Sequence, residues 1–129
     1  MSSIEIVKWV HLLAAAVWTG GLITLGFLVT TIRGATDDVE VLRAVARRFS
    51  VLSWAAFGIA IITGTWMYTT IDLPWKDFST KGSLVILAGG LALFHQLTAK
   101  RSSPAMRGLI QLLILIASIG IFGAAVTLI

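Results

Sequence analysis

The chain of 129 residues contains no cysteine, which excludes disulfides, thiolate metal sites and thiol nucleophiles. Charge is scarce too. Asp, Glu, Lys and Arg make up 12% of the residues, against roughly 25% in soluble domains. The six acidic residues are Glu5, Asp37, Asp38, Glu40, Asp72 and Asp77, all outside the long apolar runs. No carboxylate is therefore placed within those runs to act as a buried acid or base. No phosphate loop, dinucleotide fingerprint or HExxH motif occurs. Any reaction here would need a bound metal or cofactor, so a role other than enzyme is favoured.

What is abundant is apolar surface. The sequence is 57% hydrophobic, with a mean hydropathy of +0.95. Four runs lack any charged residue: Trp9 to Ile32 (24 residues), Phe49 to Ile71 (23), Gly82 to Ala99 (18) and Gly108 to Ile129 (22). A helix needs about 20 apolar residues to cross a hydrocarbon core of about 30 Å. Barrel strands would be about 10 residues long and would alternate in polarity, which these runs do not. The pattern predicts an all-α fold, an integral membrane antiparallel four-helix bundle in a lipid bilayer. It forms one domain over 1–129, with spans near 5–32, 49–71, 82–99 and 106–128. The first run exceeds a signal-peptide core of about 7–15 residues and follows Glu5, so it reads as a retained anchor.

Loop charge gives an orientation. Arg33, Arg43, Arg47 and Arg48 lie between spans one and two, and Lys100, Arg101 and Arg107 between spans three and four. The other side has Lys8, Lys76 and Lys81. Positive charge stays inside, which predicts a cell (inner) membrane protein with both termini outside and loops 33–48 and 100–107 cytoplasmic. Trp9, Trp66, Tyr68 and Trp75 then form an outer aromatic belt. The net charge of +4 belongs to this topology and not to nucleic-acid binding. Val39, Leu42, Val45 and Phe49 recur at helical spacing, with Asp37 and Glu40 at capping-box spacing. Segment 37–48 is thus a short amphipathic helix or an extension of span two. Asp72 to Thr80 reads as an outer loop or interfacial turn. The small pairs Ala16/Gly20 and Gly120/Ala124 allow close helix approach, within the chain or in a homodimer or larger membrane complex.

Few polar side chains enter the spans. Ionisable groups there are functional candidates by default. His11 shares a helical stripe with Ala15, Trp18 and Leu22. His95 shares one with Lys81, Ala88 and Ala92. The plain alternatives are an interfacial His11 bonded to water, and His95 bonded to a carbonyl or to Gln111. A haem clamped between the two histidines is strained, because their depths differ by about 16 Å at 1.5 Å per residue. Depth instead pairs His11 with Met67 on the outer side and His95 with Met106 on the inner side. Imidazole and thioether ligands suit Cu(I), and the same pair ligates haem iron. Methionine in an apolar helix is also ordinary core filler.

The stretch His11-Leu-Leu-Ala-Ala-Ala-Val-Trp18-Thr-Gly20-Gly21 resembles the opening helix of the copper-resistance D-type (CopD-like) membrane domain. Arg47-Arg48-Phe49-Ser50 entering span two, Gly64 within it, and Lys81 opening span three are similar to that family as well. The resemblance implies a four-helix domain connected with copper uptake or binding. A more distant resemblance, to HemJ-type haem-biosynthesis proteins, implies haem b and oxidation of protoporphyrinogen, with His11 and Lys81 carried over. The candidate metal ligands are therefore His11, Met67, His95 and Met106. The candidate cofactor-binding residues are His11, Trp18, Lys81 and His95. A haem-bearing chain would be a membrane redox protein with His11 axial, or a haem-dependent membrane oxidoreductase. A ligand-free structural subunit is the third reading.

Overall fold

The computed structural model describes residues 2–71, 75–98, 101 and 103–128. Among them are four helices and no strand: α1 (Ser3–Ala35), α2 (Val39–Thr70), α3 (Trp75–Thr98) and α4 (Pro104–Leu128). Each is long and apolar enough to cross a membrane. The chain is thus an all-helical, multi-pass membrane protein. It divides into two compact units, Met1–Ile71 and Asp72–Ile129. Each is a pair of packed helices, α1 with α2 and α3 with α4.

The helix ends follow from local chemistry. Ser2 caps α1: its hydroxyl accepts from the Glu5 N–H, and the Glu5 carboxylate accepts from the Ser2 N–H. This reciprocal box satisfies two donors that a helix start leaves open. Asp38 caps α2 and accepts from the Glu40 N–H at 2.9 Å. Capping therefore falls on Asp38 and not on the Asp37/Glu40 pair. The turn between α1 and α2 is only Thr36 to Asp38, so segment 37–48 is mostly the start of α2 itself. Arg33 ends α1, and Arg43, Arg47 and Arg48 sit on α2. Helix α3 begins at Trp75, so the second half of the expected 72–80 turn is helical. Residues 72–74, Ala99 and Lys100, which also entered the sequence expectations, lie outside the described residues.

Contacts show that each pair is antiparallel. His11 meets Thr63, and Gly21 faces Ser53, so residue numbers across the first pair sum to about the same value. His95 meets Gln111 and Leu84 faces Gly120 in the second pair. The 33 residues of α1 make a rod of about 50 Å, well beyond a hydrocarbon core of about 30 Å.

The interior is small-residue packing rather than a bulky oily core. Ala14, Trp18, Ala56 and Met67 are buried in the first pair, and Ala88, Ile110, Ile114, Ala117 and Ser118 in the second. The outside is apolar instead. Phe27, Val51, Ile86 and Val126 are each more than 70% exposed. That inversion suits lipid, where helices associate by close packing and not by expelling water. Hydroxyls in the spans bond to their own helix: Thr24 to the Gly20 carbonyl, Thr63 to Ile59 and Ser118 to Ile114. A polar group in lipid has few other partners. The two small pairs differ. A Cβ on Gly120 would meet Leu84 at 3.6 Å, whereas one on Gly20 would meet nothing within 4 Å. Ala16 and Gly20 thus face outward, and the neighbouring Gly21 makes the approach to α2.

Candidate metal-ligand site

His11 lies on the third turn of α1, on the face turned to α2. Its Nδ1 is 2.8 Å from the Thr63 hydroxyl oxygen. That hydroxyl has one proton and gives it to the Ile59 carbonyl at 2.7 Å. The Ala60 carbonyl is also 3.2 Å from it, and with the hydroxyl proton on its own helix the oxygen accepts from the Nδ1–H of His11. The chain His11, Thr63, Ile59 sets one tautomer, with the lone pair on Nε2. Metal-binding histidines are commonly oriented in this way, by a hydrogen bond from the opposite ring nitrogen. Gly64 makes the close approach feasible. A Cβ there would stand 3.3 Å from the His11 Cε1.

Met67 is buried, one turn beyond Thr63 and on the same face of α2. A thioether one turn outward from the imidazole is the nearest thing to a second ligand that the register supplies. Trp18 lies two turns from His11 and is 5% exposed. It packs on Phe57 at 4.7 Å and edge-on to Trp54 at 6.1 Å, which places it in the helix interface. Trp54 and Phe57 are themselves in edge contact at 5.7 Å.

The second unit handles its histidine differently. The His95 Nε2 is 3.2 Å from the Gln111 amide nitrogen, the contact expected across the pair. An amide nitrogen only donates, so Nε2 accepts and the ring proton sits on Nδ1. That Nδ1 is buried with no hydrogen-bond partner among the described residues. Gln111 therefore occupies the lone pair that a metal would use. Met106 is set back from His95 along the pair. It lies five residues before Gln111, about 7.5 Å along the axis, and is 48% exposed. Lys81 is partly buried on α3, 14 residues before His95 and so about 21 Å away along the helix. The α3 stripe does not make those two one site. Removing the amide with Gln111→Leu is expected to destabilise the α3–α4 pair by about 1 kcal/mol, by leaving His95 without its partner. Adding His95→Leu should recover most of the loss. Unfolding of the full-length protein in bicelles measures both.

Thr63 is the site residue that sequence reading missed. A threonine in an apolar helix usually bonds its own backbone, as this one does, and only the tertiary register shows its second role. Among the described residues, no three His, Cys, Asp or Glu side chains gather where they could hold a metal. Comparison of the chain with protein-family models, with curated proteins and with solved structures gives no match.

Proposed function

We propose that this is a small membrane protein that handles copper, taking up or binding Cu(I) through His11 on the α1–α2 pair, with Met67 as the second ligand. The observation that carries the reading is the His11–Thr63–Ile59 hydrogen-bond chain, which orients the imidazole through its Nδ1. Imidazole and thioether are the soft donors that Cu(I) prefers, and both side chains lie on facing surfaces of one helix pair. The CopD-like His11 to Gly21 stretch supports the same reading. The asymmetry of basic residues supports a cell-membrane orientation with both termini outside, in which His11 and Met67 belong to the outer leaflet.

Copper analysis of the purified full-length protein, loaded with Cu(I) and desalted, tests the proposal together with an absorption spectrum. Copper should be retained by the wild type and fall to background in His11→Ala. Met67→Leu should weaken retention, and Met106→Leu should leave it unchanged. Copper absent from the wild type, or indifferent to His11→Ala, overturns the copper reading. A Soret band lost in His11→Ala would assign the same nitrogen to haem iron.

A further inference from the structure

The turn end of the α1–α2 pair carries a built asymmetry. The antiparallel register sets Phe49 level with about residue 26 of α1. From there α1 stays uncharged through Ile32, while α2 on the same levels carries Arg43, Arg47 and Arg48. A hydrocarbon core of about 30 Å takes about 20 helical residues. Counted back along α2 from Tyr68, in the aromatic belt, that core ends at Phe49. Arg48 then lies at the depth of the phosphate layer, with apolar α1 beside it.

A groove of about 330 Å³ opens at this level, lined by Leu28, Ala44, Val45, Arg48 and Phe49. Four walls are apolar or small, and the fifth is the aliphatic stem of Arg48, whose guanidinium lies beyond the lining. The neighbouring cations differ in how they are used. The Arg43 guanidinium is held by the Glu40 carboxylate at 2.8 Å, whereas Arg47 is exposed on the next turn.

We propose that this groove binds one anionic phospholipid of the adjoining leaflet. An acyl chain lies along Leu28, Val45 and Phe49, and the phosphate meets the Arg48 guanidinium, with Arg47 as the second cation. The shape of the groove supplies the apolar match, and the charge pattern supplies the sign. Guanidinium and phosphate are matched in geometry as well as charge. Near an anionic surface each basic side chain contributes about 1 kcal/mol, a factor of about five in occupancy.

Native mass spectrometry of the full-length protein, from micelles with equal phosphatidylglycerol and phosphatidylcholine, tests this. Bound lipid should be enriched in phosphatidylglycerol about five-fold. Arg48→Gln should remove most of that enrichment, Arg48→Lys should keep part of it, and Arg43→Gln should leave it unchanged. Leu28→Trp fills the groove at constant charge and should lower lipid retention as strongly as Arg48→Gln. Copper content should be the same in all four variants, which separates this site from the one at His11. Equal binding of the two lipids overturns the proposal. So does loss in Arg48→Gln without loss in Leu28→Trp, because that result describes diffuse charge attraction and not a groove.

Discussion

Replacing Thr63 with valine is expected to weaken copper binding about 10–100-fold while leaving the helices intact. Valine keeps the shape of threonine and removes the oxygen that accepts the His11 Nδ1–H. The ring then loses both its tautomer preference and its orientation, so Nε2 no longer has the lone pair fixed on it. Thr63→Ser restores the hydroxyl and should recover most of the affinity. The pair of variants separates a positioning role from a packing role, because serine is the smaller side chain and would be the worse packer. A competition titration with a Cu(I) chelator measures the affinity, and circular dichroism checks the helices. Equal affinity in wild type and Thr63→Val would show that the hydrogen-bond chain does not prepare His11 as a ligand.

Trp18→Ala is expected to be the most destabilising single change in the α1–α2 pair. Trp18 is packed against Trp54 and Phe57, and of these three rings it alone is fully buried. In water-soluble cores an aromatic-to-alanine change costs about 3–5 kcal/mol. In lipid the transfer contribution is largely missing, since the tails are as apolar as the core, and the lost packing remains. A cost of about 2–3 kcal/mol is expected on that ground. Phe27→Ala is the control. Phe27 is 75% exposed, so its loss should stay within about 0.5 kcal/mol. Reversible unfolding in bicelles gives both numbers. Similar values for the two would mean that the ring cluster does not hold the pair together. Copper retention in Trp18→Ala, measured under folding conditions, distinguishes an interface role from a part in the ligand site.

The four spans were legible in the sequence because lipid is a uniform solvent. Every residue of a crossing helix must be tolerable in hydrocarbon, so the absence of charge over about 20 positions is a local signal that needs no tertiary information. The basic residues were equally legible, since charge cannot follow the chain into the core. The candidates His11 and His95 stood out for the same reason. Their neighbours did not. On α1 the stripe through His11, Ala15 and Trp18 pointed to the right face, yet it could not name Thr63, which lies 52 residues away.

What the sequence by itself determined is the opening feature of this protein: helices that cross a membrane, where they run, and which few polar groups they carry inward. Only the tertiary structure decided how those groups are used. Both imidazoles carry the ring proton on Nδ1, but the nitrogen that meets the partner differs. A hydroxyl oxygen accepts from the Nδ1 of His11, while an amide nitrogen donates to the Nε2 of His95. The physical reason is that which ring nitrogen is engaged depends on the partner across the helix pair. That partner is chosen by antiparallel register, which no local pattern of residues encodes.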